Sequence, residues 1–223
     1  MTSAVHPSEE ILLSFVSGEA DFARRVVIEG HLDGCPECRA SVRSLSAPGS
    51  RLLAGLPVAG GASVPPGLWG RLAATVAEIG PPPSPDASPL AGCPVPAGAL
   101  REMAEMGAGS QAPNWRFAGA IGAAFAILSR DAKTGAMLLL GRMKPAKFYP
   151  EHRHLGMEEI LILRGGFEDQ YGDFTAGMYT AYEPGSVHRP WIDEQETCWT
   201  LSRLEKPVEF LGWRGVAQRL LGK

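Results

Sequence analysis

The stretch "PEHRHLGMEEILILRGG", Pro150–Gly166, holds two histidines one residue apart and a glutamate four residues after the second. Side chains of a strand alternate between faces, so a His-x-His pair in a strand sends His152 and His154 to the same side. Glu158 follows, with its neighbour Glu159 as the competing carboxylate, and Gly165 closes the run. Downstream, "GMYTAYEPGSVHRPW" (177–191) offers a Pro184–Gly185 turn and then His188, on a strand that can return beside the first. Three imidazoles and one carboxylate converging inside a barrel have the donor chemistry of a divalent metal site.

The surrounding texture agrees with a barrel. Short apolar runs such as "FAILS" (125–129), "AMLLLG" (136–141), "MYTAYE" (178–183) and "CWTLSRL" (198–204) are broken by Gly, Pro and Asp, the pattern of an antiparallel sandwich or barrel. Upstream, residues 80–98 carry seven prolines, which exclude helix interior and central strand. The chain therefore divides into a first domain over 1–80, a Pro-rich linker over 81–98 and a second domain over 99–223. Before the linker the apolar spacing is helical. Ser8 is a candidate N-cap with Gly18 as a stop, Asp21 caps a second helix, and two more helices are expected over roughly 36–47 and 66–79. The fold class that follows is α+β multidomain, a small all-α domain followed by an all-β one.

The first domain has its own cluster. In "HLDGCPEC", His31 to Cys38, one histidine and two cysteines lie within eight residues of a chain that has five of the first and four of the second. Gly34 and Pro36 predict that the helix carrying His31 ends near Gly34, and that a tight turn delivers Cys35 and Cys38 beside the imidazole. A structural zinc takes four tetrahedral N and S donors, and His6 is the other histidine of this half. The expected set is His6, His31, Cys35 and Cys38. In so small a domain the ion would supply folding energy.

Composition excludes several functions. Lys and Arg number 21 against 24 Asp and Glu, scattered rather than massed, so no footprint for a phosphate backbone exists and direct nucleic-acid binding is not expected. The start "MTSAVHPSEE" lacks the features of a secretory signal. The longest apolar run, "AGAIGAAFAIL" at 118–128, is about half the ~20 residues needed to cross a bilayer and reads as buried strand. A cytoplasmic location is expected, consistent with cysteines used for metal rather than disulfides.

The second constellation resembles the cupin family, whose first motif His-x-His-x3-Glu-x6-Gly is matched at His152, His154, Glu158 and Gly165. Pro184, Gly185 and His188 approximate the second motif; Ala146 replaces the usual Gly ahead of the histidine pair, and Ile192 stands where Asn is common. The first constellation resembles the zinc-binding anti-sigma domain. Together, in this order, they resemble anti-sigma factors of the ChrR type. The resemblance implies a double-stranded β-helix (jelly-roll) for the second domain. It implies Zn2+ in the first domain and a second divalent ion, Zn2+, Mn2+ or Fe2+, in the cupin. It also implies an extracytoplasmic-function sigma factor as the partner, inhibited by the zinc domain and released on an oxidative signal, singlet oxygen or peroxide. Pairing of two copies through the cupin is a further expectation, and no catalytic residue is assigned.

An inhibitor that occludes its partner needs an apolar face. Leu68, Leu72, Val76 and Ile79 recur at helical spacing and would pack either on the domain's own helices or on a partner. Oxidation of Cys35 or Cys38 would remove a thiolate ligand, whereas Cys198 reads as a reporter or as inert burial. The competing function is a metal-dependent, dioxygenase-like cupin enzyme carrying a zinc-binding interaction domain. Its case is the same three-histidine, one-carboxylate donor set.

Overall fold

The computed structural model describes residues 6–57, 65–79, 90, 92–105, 112–118, 122–192 and 194–212. The first helices begin where capping chemistry puts them. Helix α1 (Glu9–Val16) starts after Ser8, whose side chain accepts from the Ile11 N–H, and α2 (Phe22–Gly34) starts after Asp21, which accepts from Arg24. Cys35 ends α2 and caps α3 (Pro36–Ala54), with Pro36 in the first turn where its missing N–H is harmless.

Helix α3 outruns the expected end near residue 47. It continues through Pro48 to Ala54, and the hydroxyls of Ser46 and Ser50 donate to the carbonyls of Val42 and Ser46 along this stretch. Helix α4 (Leu68–Ile79) follows. A fifth helix, α5 (Ala97–Glu105), lies at the end of the Pro-rich stretch, where the sequence predicts none. Residues 81–89 and 91 of the expected linker lie outside the described residues, but Leu90 and Val95 are buried in the core.

The second half is all β. Six strands form the main sheet in the order β1 (Arg116–Ala118), β2 (Ala123–Arg130), β3 (Met137–Met143), β12 (Cys198–Leu204), β6 (Glu158–Arg164) and β9 (Tyr179–Tyr182). A second sheet runs β4 (Lys147–Phe148), β11 (Trp191–Ile192), β7 (Gly166–Asp169), β8 (Gly172–Thr175). A third runs β10 (Val187–His188), β5 (His152–Arg153), β13 (Glu209–Phe210). Every pairing is antiparallel, giving the double-stranded jelly-roll expected for a cupin.

Strand β6 is covered on both faces. Ile160 and Ile162 point into the barrel against Phe167, Phe174 and Ile192, whereas Leu161 points outward into a core shared with Val26 and Val27 of α2 and Ala99 and Met103 of α5. The helical half and the barrel are thus docked through one hydrophobic cluster. Helix α2 approaches closely because Gly30 and Gly98 have no side chain. A Cβ on Gly30 would lie 2.8 Å from Leu161 Cδ2, and one on Gly98 would lie 2.8 Å from the Glu29 carbonyl oxygen. Asp33, at the end of α2, accepts from the Gly98 N–H at 2.5 Å and so caps α5 from another segment.

A charged cluster fixes the docking angle. Arg203 on β12 faces Glu159 on β6 in register, donating to it at 2.9 Å, and also donates to Asp21 at 2.7 Å and to Glu205 at 3.1 Å. Arg24 on α2 donates to both carboxylate oxygens of Glu159, at 2.9 and 3.0 Å, and the Tyr179 hydroxyl donates to it at 2.7 Å. Removing one partner of a buried ion pair leaves an uncompensated charge, which costs about 3 kcal/mol or more. Arg203→Ala is therefore expected to lower stability by about 3 kcal/mol in guanidinium unfolding. A loss under ~1 kcal/mol, the range of an exposed pair, would show that Glu159 does not depend on it.

Candidate metal centres

The N-terminal cluster assembles at the junction of three segments. His31 lies in the last turn of α2, Cys35 is the hinge between α2 and α3, Cys38 is in the first turn of α3, and His6 lies just ahead of α1. One donor atom from each lies within 4.8 Å of all the others. His31 Nε2 is 3.3 Å from Cys38 Sγ, and His6 Nδ1 is 3.4 Å from Cys35 Sγ and 3.5 Å from Cys38 Sγ. Tetrahedral zinc, with Zn–S about 2.3 Å and Zn–N about 2.0 Å, separates neighbouring N and S donors by about 3.5 Å, so the residues present fit the ion. Burial and the adjacent Cys35 push the Cys38 thiol up to about 12, and burial lowers the basicity of His31. Without a cation Cys38 is a neutral thiol; a bound metal would make it a thiolate.

The barrel cluster is built by three strands and one loop. Strand β5 carries His152, its neighbour β10 places His188 directly opposite in register, His154 follows β5, and Glu158 opens β6. These four also present donor atoms within 4.8 Å of one another. The choice between the two glutamates is settled by alternation: Glu158 points toward the histidines, Glu159 toward the helices.

Proton positions in this cluster can be worked out from its partners. His188 Nδ1 is 2.6 Å from Asp169 Oδ2, and His152 Nδ1 is 2.8 Å from the Pro150 carbonyl oxygen, so both Nδ1 atoms donate. Burial, reinforced by His188, lowers the pKa of His152 to about 3, so its ring is neutral. The His152 and His188 Nε2 atoms face each other at 2.9 Å. His154 is fully buried, and its two ring nitrogens are the only buried side-chain polar atoms without a hydrogen-bond partner among the described residues. Glu158 approaches its Nδ1 to 3.2 Å outside hydrogen-bond geometry, and burial raises that carboxyl to about 8. Converging imidazole nitrogens, an unpartnered imidazole and a carboxyl without a counter-ion are what a divalent cation would satisfy.

Other residues matter that spacing did not single out. Asp169 holds His188 and also accepts from Tyr182 at 2.7 Å, and the Tyr182 ring stacks on His154 with centroids 5.1 Å apart. In sequence Asp169 reads only as a residue at the β7–β8 turn. Ala146, at the position where the cupin pattern has Gly, adopts the left-handed φ of 54° that the Gly would supply. Gly165 at φ 67° is required as well, because a Cβ there would lie 2.7 Å from the Thr197 carbonyl oxygen. Cys198 is fully buried and its thiol is pushed up to about 12 by that burial, which makes it inert as a thiolate.

A closed jelly-roll with three histidines and a glutamate inside it, preceded by a Cys2His2 knuckle on three helices, defines a cupin joined to a zinc-finger unit. The family models match in the same order: "Putative zinc-finger" over residues 9–39 and "ChrR Cupin-like domain" over residues 104–206. The anti-sigma-E factor ChrR of Cereibacter sphaeroides is 29% identical over 216 residues, 94% of this chain and 93% of the relative. The crystal structure of Rhodobacter sphaeroides SigE in complex with the anti-sigma ChrR matches with a TM-score of 0.64 and 25% identity, covering 92% of this chain and 100% of that one. An RmlC-like cupin protein from Ralstonia eutropha JMP134 is 17% identical, with a TM-score of 0.41, over 50% of this chain and 81% of its own. The chain is thus similar to ChrR over nearly its whole length, with the zinc-finger and ChrR cupin-like models matching its two parts in turn. The zinc-finger match and the His/Cys donor set support zinc in the N-terminal unit.

The geometry predicts two metal equivalents per chain in elemental analysis. His152→Ala with His154→Ala should remove one and Cys35→Ser the other. Asp169→Asn should weaken the barrel ion alone by about 10- to 100-fold, the usual effect of losing the group that orients a ligating histidine. Equal weakening at both centres would place Asp169 in the fold rather than in the site.

Proposed function

We propose that this chain is an anti-sigma factor acting in the cytoplasm. Its zinc-tied helical unit binds and inhibits an extracytoplasmic-function sigma factor, and its metal-binding cupin senses an oxidative signal, singlet oxygen or peroxide, that triggers release. The observation that carries this reading is the exposed apolar surface of α4. Trp69 is 72% exposed and Val76 66%, and Leu72 is exposed too. The end of α3 continues the pattern, with Leu52 75% and Leu53 72% exposed. Exposed apolar groups at this density mark a protein-binding surface. The alternative expectation, that this stripe packs on the domain's own helices, is not met at Leu72 and Val76; the side chain of Ile79 lies outside the described residues.

The relatives supply the partner's class. ChrR of Cereibacter sphaeroides is named an anti-sigma-E factor, and the matching crystal structure holds ChrR with SigE. Formal net charge is -3, and no helix among the described residues is long and apolar enough to cross a membrane. Oxidation of Cys35 or Cys38 would strip a ligand from the N-terminal centre, and a change of ion at His152, His154, Glu158 and His188 would alter the barrel. Self-association through the barrel belongs to the same reading and is tested by sedimentation of the free protein. The donor set of the barrel also suits a dioxygenase-like enzyme, and substrate-dependent oxygen consumption by the iron-loaded chain would favour that instead.

The full chain, coexpressed with the extracytoplasmic-function sigma factor of its own genome, should copurify with it and block transcription in vitro. Burying an aliphatic side chain contributes ~1.5 to 3 kcal/mol, so Leu72→Glu with Val76→Glu should weaken the complex by about 100-fold or more. Metal content should be unchanged. Full inhibition by the double variant would remove α4 from the interface.

A further inference from the structure

His31 is bonded on its two sides to two different parts of the molecule. Its Nε2 faces Cys38 Sγ at 3.3 Å, inside the N-terminal cluster. Its Nδ1 lies 3.0 Å from the carbonyl oxygen of Gly177, which belongs to the turn between β8 and β9 of the barrel, 146 residues away. A carbonyl only accepts, so Nδ1 carries the proton and Nε2 is the free donor, which is the tautomer a metal at this cluster requires.

The position of that carbonyl is not adjustable. Gly177 sits at φ 86°, its N–H donates to the Ile162 carbonyl at 2.8 Å, and the next carbonyl, Met178, accepts from the Ile162 N–H at 3.0 Å. The turn is therefore pinned to the β6 edge from both sides. Two residues on, the Tyr179 ring packs edge-on to His31 with centroids 6.1 Å apart, while its hydroxyl is held by Glu159. Further along the same strand, Tyr182 stacks on His154 and donates to Asp169, the partner of His188. One short strand touches both donor clusters.

We propose that the β8–β9 turn is an outer-shell partner of the N-terminal metal centre: the Gly177 carbonyl orients His31, so this centre holds its ion tightly only while the barrel is seated on α2. The proposal rests on reading His6, His31, Cys35 and Cys38 as a metal centre. It makes metal retention in the helical unit depend on the register of β9, without any chemical change at the cysteines. In that respect it differs from thiolate oxidation, which removes a ligand outright.

The test uses the full chain loaded with Co2+, because a thiolate-to-cobalt charge-transfer band reads the Cys35/Cys38 centre and not the barrel, whose cluster has no sulfur donor. Gly177→Val places a β-branched residue at φ 86° where nothing lies within 4 Å of the new Cβ, so backbone strain rather than collision moves the turn. Arg24→Ala loosens the docking from a position outside both donor sets. Both variants should lose cobalt to EDTA at least tenfold faster than the parent, the scale of effect of an outer-shell partner. In the zinc-loaded parent, nitrogen-15 NMR should show a His31 Nδ1–H protected from exchange, and Gly177→Val should lose that protection.

Parental release rates in both variants would overturn the proposal, as would the absence of a protected Nδ1–H in the parent, a measurement that needs no variant to fold. Failure of the parent to develop the charge-transfer band would instead overturn the metal reading, and with it the proposal. Sigma binding enters neither readout, so failure of the anti-sigma reading is seen separately.

Discussion

Glu159 decides how the two halves of the molecule meet. It is a fully buried carboxylate that receives Arg24 from α2, Arg203 from β12 and the Tyr179 hydroxyl from β9. Apolar burial around it, with Val26, Val27, Leu161 and Leu201 in one cluster, is non-directional and would tolerate a range of docking angles. The carboxylate does not. Its desolvation costs several kcal/mol and is offset only when every donor is in place. Once α2 is held at that angle, its last turn places His31 against Gly177, and Cys35 at its end positions α3. The N-terminal cluster is therefore set by a charge interaction outside it.

What could be read in the sequence follows from which features are local. The His-x-His pair, the Pro184–Gly185 turn and the Cys-Pro-Glu-Cys knuckle each fix geometry within a few residues, and all eight candidate ligands come together in two clusters, although His6 is named by elimination and not by spacing. The choice of Glu158 over Glu159 rests on the cupin-like His-x-His-x3-Glu spacing and not on alternation. In a half-covered sheet the apolar face names the inward residue, but β6 is buried on both faces, so alternation assigns two environments without saying which is which.

Long-range partners left no mark at all. Helix α5 follows a segment whose prolines argue against any helix, and the residue that caps it, Asp33, lies 65 positions upstream. Asp169 and Gly177 act on histidines through contacts that only the closed barrel creates. Pro48 misleads in the other direction, because a proline predicts a stop and α3 runs on. Ala146 shows that a pattern position can be filled by the less favourable residue when the surrounding loop imposes the left-handed conformation.

The exposed α4 has a physical explanation in how the helical unit is stabilised. Its own core is thin: Leu12, Ile28 and Leu32 close on Cys35 and Cys38, and α3 adds Val42 and Leu45 from its first half. Among the described residues, nothing from α4, nor from the second half of α3, enters that cluster. A unit this small ordinarily has to spend every apolar side chain on itself. Here α2 also borrows the face of a six-stranded sheet, and the His/Cys cluster offers an ion as a further tie. Those two supports free Leu52, Leu53, Leu56, Trp69, Leu72 and Val76 from structural duty and leave them available to a partner. The arrangement also links the two roles, since the sheet that lends its face to α2 is the one whose edge strand, β9, borders the barrel cluster.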